Sequence, residues 1–340
     1  MKIKLGNIAY AIVQMVGNKA NGDGVSFSSE KIDLGDTKKF LFDLLDKSLK
    51  FDELKHLDFV GGVQLNPVYN FVSSIFDDEN FFVKEANNLA TYLYQQSVHP
   101  SVKNGEFYVM KIEGCKVDGK LVDAVGLFKS EIHDTILKVV SNNDGIQVVP
   151  EKGMSLKKLD KGSVIFNVNR EKGYVLSVLD SSNSAANYWT DAFLHAIPYE
   201  DSYQQTKKII CFYEDFLAGE SMENIPKADK GIMMNKAEEF LKKTERFELS
   251  SFLKKVFSDG MKEQSELFKS EFLQWDKFQM ADDVLVSKAA LKQVSKSKLT
   301  TIKLDKNFDI KIKNGNDLLE QGYDEKRGMY YYKLFYNEEK

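Results

Sequence analysis

The period of the apolar positions divides the chain into three stretches. The first mixes one strand with helices. Residues Ile3 to Val16 alternate loosely, as a strand does, and Asn21, Gly22, Asp23 and Gly24 supply turn chemistry after them. Asp36 is placed to cap a helix in which Phe40, Leu41, Leu44, Leu45 and Leu49 recur at three- and four-residue steps. A second helix is predicted after Asp78, with Phe82, Ala86, Leu89, Ala90 and Leu93 on one stripe. His99-Pro100 closes it, because the residue before a proline is pushed out of helical geometry.

From Gly105 to Asp180 the period shortens to two. Phe107, Val109 and Lys111 alternate with Tyr108, Met110 and Ile112. Asp118-Gly119 is a strong two-residue hairpin signal, and Leu121 to Phe128 runs back as the partner strand. Ile136 to Val140 and Gly145 to Val149 add shorter strands. A further hairpin pairs Ser163 to Val168 with Tyr174 to Leu179 around a loop ending in Gly173, which can take a left-handed conformation. Such connections give an antiparallel meander and exclude a doubly wound parallel sheet.

After Asn183 the pattern is helical for about a hundred residues. Tyr203 to Leu217 is one predicted helix. Three more stripes follow: Met233, Ala237, Phe240 and Leu241; Leu249, Phe252, Leu253, Val256 and Phe257; Met261, Phe268, Phe272 and Trp275. The last forty residues return to strand-like alternation, from Ile302 and Leu304 to Tyr330, Tyr332, Leu334 and Tyr336. The expected fold is therefore α+β: an antiparallel meander sheet with flanking helices, then a small helical bundle and a short C-terminal β tail. Residues 219–226 carry turn residues and no period, so the expected division is 1–219 and 220–340. A chain of 340 residues exceeds what one core usually organises, which fits two parts.

Charge changes the picture in one place. The formal net charge is -4, so the molecule as a whole does not attract nucleic acid or an anionic membrane, and any DNA contact must be local. The start reads as a first strand and not as a signal peptide, and no stretch approaches the roughly 18 apolar residues of a membrane helix, which predicts a cytoplasmic protein. The basic stretch comes late: Lys288, Lys292, Lys296, Lys298, Lys303, Lys306, Lys311 and Lys313 face only Asp305 and Asp309. A helix from Val284 to Val294 would put Lys288 and Lys292 one turn apart on one face. An extended chain from Thr300 to Lys313 would turn Ile302, Leu304, Phe308, Ile310 and Ile312 inward and Lys303, Lys311 and Lys313 outward. Lysines so placed neutralise phosphates without reading bases, which predicts salt-sensitive, sequence-tolerant binding. The bland alternative is a solubilising surface, or edge-strand lysines that block unwanted pairing. Lys152, Lys157, Lys158, Lys161 and Arg170 form a smaller basic group expected at the sheet's loops.

Catalytic chemistry finds little support. His56, His99, His133 and His195 stand singly, Cys115 and Cys211 are far apart and expected to be buried, and no phosphate-cradling loop or nucleophile elbow occurs. No cofactor or metal is expected. One enzyme reading is a metal-dependent nuclease built on Asp123, Lys129 and Glu131. Its acid and lysine stand in the order Lys-Ser-Glu, the reverse of the usual Glu-x-Lys, which favours a solvated strand end.

Several strings carry a resemblance. Leu93-Tyr94, Ser97 to Pro100 and Lys103 to Val109 are similar to a helix-to-strand junction of the bacterial 37-kDa nucleoid-associated protein family. Asp123 to Glu131, Leu159 to Asn167, Tyr188-Trp189 and Leu304 to Phe308 look like further family strings, in the family's order. The resemblance implies a bacterial protein that accompanies the nucleoid. It carries no catalytic or DNA-contact residue across. The expectation is a non-enzymatic nucleoid-associated protein that binds DNA non-specifically through the late lysines. The alternative is a protein-interaction adaptor of the nucleoid, motivated by the acidic charge and by Tyr330, Tyr331 and Tyr332. Other nucleoid proteins are conceivable partners; a homodimer is the commonest closed assembly, and no membrane is implied.

Overall fold

The computed structural model describes residues 1–131, 133–142, 145–157, 159–180, 188–275, 282–294, 301–311 and 318–338. Its contacts divide the chain into two compact units, Met1–Tyr199 and Glu200–Lys340. The fold is α+β, and every strand pairing among the described residues is antiparallel.

The first unit begins with strands β1 (Ile3–Lys4), β2 (Asn7–Val16) and β3 (Val25–Ser26), helix α1 (Thr37–Ser48) and strand β4 (Leu54–Leu57). Helices α2 (Pro67–Asp77) and α3 (Phe82–Gln96) follow, then β5 (Gly105–Val117), β6 (Lys120–Ser130), β7 (His133–Asn142), β8 (Gly145–Met154), β9 (Lys161–Phe166), β10 (Val175–Asp180) and β11 (Ala196–Pro198). A π-helical turn, Tyr188–Phe193, precedes β11. The main sheet runs β11-β4-β10-β9-β6-β5-β2-β3, with β1 beside β5. Asp118 (φ 47°) and Gly119 (φ 83°) close the β5–β6 hairpin in the left-handed conformation that a tight two-residue turn requires.

Both faces of this sheet are covered, and the two-residue period sorts its side chains between them. Val109, Leu127, Ile165 and Leu176 pack with Leu89, Ala90 and Leu93 of α3 and with Trp189. Met110, Phe128, Val164 and Phe166 pack on the other side with Leu41, Leu44 and Leu45 of α1. The stripe expected after Asp78 is the buried face of α3, which ends at Gln96, before His99-Pro100. Asp36 stands at the start of α1 without making a side-chain cap, and Phe40 is exposed. Among the elements without an expectation are β4, a four-residue strand, and α2, whose Asn66 side chain accepts from the Tyr69 amide. The strands at 136–140 and 145–149 are parts of β7 and β8, which pair over ten residues each as a separate two-stranded sheet.

The second unit contains α4 (Ser202–Ala218), α5 (Lys227–Lys243), β12 (Arg246–Glu248), α6 (Leu249–Val256), α7 (Lys262–Trp275), β13 (Asp282–Leu285) and α8 (Lys288–Val294). Two hairpins end it, β14 (Thr301–Leu304) with β15 (Phe308–Lys311) and β16 (Leu319–Asp324) with β17 (Met329–Leu334). Asp201 caps α4 by accepting from the amides of Tyr203 and Gln204. The core is aromatic: fully buried Phe268 of α7 meets Phe212, Tyr213 and Phe216 of α4, Phe252 of α6, and Phe257. Because α4 supplies Ile209, Ile210, Tyr213 and Phe216 to this core, the contact division falls before that helix, at Tyr199. The expected division at 219 lies after it.

Candidate nucleic-acid interface

Lys288 and Lys292 lie on α8. The helix starts at Lys288 and not at Val284, because residues 282–285 are held as β13 by pairing with β12. The Ser287 amide donates to Thr206 Oγ1 (2.9 Å), and Leu291 N–H donates to the Ser287 carbonyl (3.3 Å), fixing the first turn. Ala290 and Leu291 are buried, while Lys288 and Lys292, one turn apart, are exposed.

The β14–β15 hairpin repeats this division at a period of two. Ile302 is buried with Ala228 and Ile232 of α5, and Leu304 and Ile310 pack partly against them. Lys303 and Lys311 point to the other face, where Asp309 is the cross-strand neighbour of Lys303 and Thr301 that of Lys311. Lys306 follows Asp305 (φ 50°) in the turn. All three lysines are exposed. Phe308, expected to point inward, is 67% exposed, because the cover given by α5 tapers from Ile302 toward the turn. Lys296, Lys298, Lys313 and Ile312 lie outside the described residues.

The smaller basic group does not form one exposed patch. Lys161 is buried in β9 with its ammonium 2.6 Å from Asp180. Arg170 donates to both carboxylate oxygens of Asp77 (2.5 and 2.8 Å), and Lys157 stands 3.5 Å from Asp134. Lys152 is exposed on β8, and Lys158 lies outside the described residues.

Of the three residues of the nuclease reading, Lys129 and Glu131 meet and Asp123 stands apart from them. Asp123 and Lys129 share β6 six residues apart, about 20 Å along an extended strand. Asp123 pairs with Lys111 of β5 at 2.9 Å. Lys129 lies in a row that crosses four strands, Phe107 to Lys129 to Lys161 to Asp180. Its ammonium donates to the Lys103 carbonyl (2.7 Å) and stands 3.1 Å from Glu131. The Tyr188 hydroxyl donates to the same Glu131 oxygen (2.8 Å), and its ring lies within 5.9 Å of Lys129 Nζ and 5.1 Å of Lys161 Nζ. Burial lowers the Lys129 pKa, partly offset by the Glu131 carboxylate, and burial followed by the Glu131 charge pushes the Tyr188 phenol far up. These groups satisfy one another. Nothing in the lysine's place in the sequence distinguished it from a surface residue.

Among the described residues, no group of three His, Cys, Asp or Glu is placed to hold a metal ion. His133 meets Glu106 at 2.9 Å, and His195 meets the Tyr92 hydroxyl at 2.9 Å. Cys115 is buried, as expected, but Cys211 is exposed, since α4 turns that position away from the core that holds Ile210. Among the described residues, no helix is long and apolar enough to cross a membrane.

Comparison with protein families matches residues 12–330 to the family described as nucleoid-associated protein YejK. No curated protein and no solved structure matches the chain.

Proposed function

Because the chain belongs to the nucleoid-associated protein YejK family, we propose that it binds DNA directly, through lysine contacts to phosphates, with little sequence preference and without catalysis. The observation that carries this reading is the common exposure of Lys288, Lys292, Lys303, Lys306 and Lys311, each on an element whose other side is packed into the second unit. Ammonium groups on α8 and on a hairpin present point charges suited to phosphates, so on this reading affinity comes chiefly from released counterions. On this reading the protein works at the nucleoid, in the cytoplasm, and needs no cofactor.

The test is fluorescence anisotropy with several unrelated duplexes of equal length, at a series of salt concentrations. Similar affinities that fall together as salt rises support the proposal. One duplex preferred a thousandfold over the rest would refute its non-specific character. Incubation with plasmid and magnesium or manganese tests the absence of catalysis, and cleavage would contradict it.

A second reading is favoured by one observation. In the β16–β17 hairpin, Tyr330 is 77% and Tyr323 52% exposed, their rings 4.9 Å apart, whereas Tyr332 packs inward beside Ile302 and Ala228. Exposed tyrosines on a hairpin suit a protein partner, so the chain would then reach the nucleoid as an adaptor. Loss of a nucleoid partner on Tyr330→Ala, with DNA affinity unchanged, distinguishes this reading.

A further inference from the structure

Two lysines face each other at one end of the main sheet. The register of β1 with β5 sets Lys4 directly opposite Lys116, and that of β5 with β6 sets Lys116 opposite Leu121. Cross-strand neighbours share a face, so this row carries two positive charges and no negative one. All three side chains are exposed. The carboxylates nearest in these strands and their turn are Glu113, Asp118 and Asp123. Asp118 accepts from the Lys2 amide (2.7 Å), Asp123 pairs with Lys111 (2.9 Å), and Glu113 stands at the β5 bulge opposite Asn7. Among the described residues, neither Lys4 nor Lys116 forms an ion pair.

Like charges directly opposite on a sheet repel and cost stability. Elsewhere the chain compensates such lysines: Lys303 faces Asp309, and Lys333 faces Glu320 at 3.5 Å. Another lysine pair, Lys129 opposite Lys161, gives each ammonium a carboxylate, Glu131 at 3.1 Å and Asp180 at 2.6 Å. Lys4 and Lys116 have no such acid. Protection of a sheet edge does not account for both, because Lys116 lies between β1 and β6, inside the sheet. Solubility would be served as well by an acid at either position, which would also relieve the repulsion.

We infer that Lys4 and Lys116 hold phosphate of the DNA backbone, a contact that rests on the DNA-binding function proposed above and brings the first unit into it. The counter-charge that the chain withholds then comes from the ligand. Opposed Cβ atoms on neighbouring strands lie roughly 5 Å apart, so two lysine stems rising from them can converge on one phosphate or reach two successive ones. Paired strands hold the bases of both stems in place. A compact ammonium is a point charge that meets phosphate oxygens and reads no base, so the contact is sequence-tolerant. Leu121 ends the row without a charge that would repel the backbone.

The experiment is the salt dependence of binding to one duplex, measured by fluorescence anisotropy on the full chain. Wild type is compared with the double variant Lys4→Gln, Lys116→Gln, with Lys116→Glu, and with the variant in which Lys288, Lys292, Lys303, Lys306 and Lys311 are changed to Ala. The glutamine pair is expected to make the slope of log affinity against log salt shallower by about 1 to 2, the share of one or two phosphates. Lys116→Glu is expected to weaken binding while melting no lower than wild type, because it sets opposite charges across from each other. A folded glutamine variant with the wild-type slope overturns the inference, as does a Lys116→Glu protein that binds as tightly as wild type. A shallower slope for the glutamine pair, with an unchanged slope for the five-lysine variant, refutes the late contacts and leaves this one standing. The converse refutes this one alone, and a wild type that binds no DNA at low salt refutes both.

Discussion

The Lys129 ammonium lies 3.1 Å from the Glu131 carboxylate, with the lysine side chain fully buried and the glutamate nearly so. An ion pair held in that way adds little net stability, yet breaking it from one side is costly, because the remaining charge keeps its burial and loses its partner. Lys129→Ala is expected to destabilise the first unit by about 3–5 kcal/mol. The double variant Lys129→Met, Glu131→Gln should cost less, since it removes both charges. Urea unfolding followed through Trp189, in a Trp275→Phe background, reads the first unit alone; equal losses for the two variants would show that the charges are not coupled.

Gly173 closes the loop before β10 at φ 87°, and its carbonyl accepts from the Leu57 amide (2.9 Å). A Cβ there would lie 1.9 Å from the Leu57 carbonyl oxygen, a backbone atom that cannot swing aside. Gly173→Ala therefore combines a disfavoured backbone conformation with displacement of β4, at a cost on the order of 3 kcal/mol. Chemical denaturation measures it, and a loss below about 1 kcal/mol would mean that β4 shifts freely.

His195 adopts φ 49°, bonds to the Tyr92 hydroxyl and meets the edge of Phe59 at 4.6 Å between ring centres. Burial lowers its pKa below the ordinary value of 6.5. The unfolded chain therefore takes up a proton first as pH falls. The stability contribution is intact above pH 6.5, is lost as pH falls from there through the folded-state pKa, and changes no further below it. His195→Asn tolerates the positive φ and should remove that part of the pH dependence. Thermal melts of both proteins between pH 7.5 and 5 test it, and parallel curves would contradict it.

Legibility followed whether the cause of a feature was local. The α3 stripe and the β5–β6 turn are written in neighbouring residues, and both were readable. Helix α2 was not, because Val68, Tyr69, Phe71, Val72 and Ile75 are strand-favouring types; its local signal was Asn66-Pro67, a cap followed by a first-turn proline. The start of α8 depends on β13 pairing with β12, nearly forty residues earlier. The burial of Lys129 and Lys161 depends on four strands and the π-helical turn meeting at one point. Alternation in 133–154 announced strands but could not say that they leave the sheet, since a covered face and an uncovered one carry the same period.

The outward alternation of Lys303 and Lys311 was readable for the same local reason, but their contact with phosphate remains a proposal. If the adaptor reading held instead, Tyr330→Ala would abolish partner retention after nuclease treatment while Lys303→Ala would leave it intact. Pull-downs on the two variants separate the readings, and identical retention by both would remove the exposed tyrosine from consideration.

The central claim is that the late lysines neutralise DNA phosphates. The direct measurement is the slope of log affinity against log salt for one duplex, compared between wild type and a variant with Lys288, Lys292, Lys303, Lys306 and Lys311 changed to Ala. Each lysine that releases a counterion contributes about 0.9 to that slope. The account predicts a variant slope shallower by at least about 2, with weakened binding across unrelated sequences. An unchanged slope would contradict it.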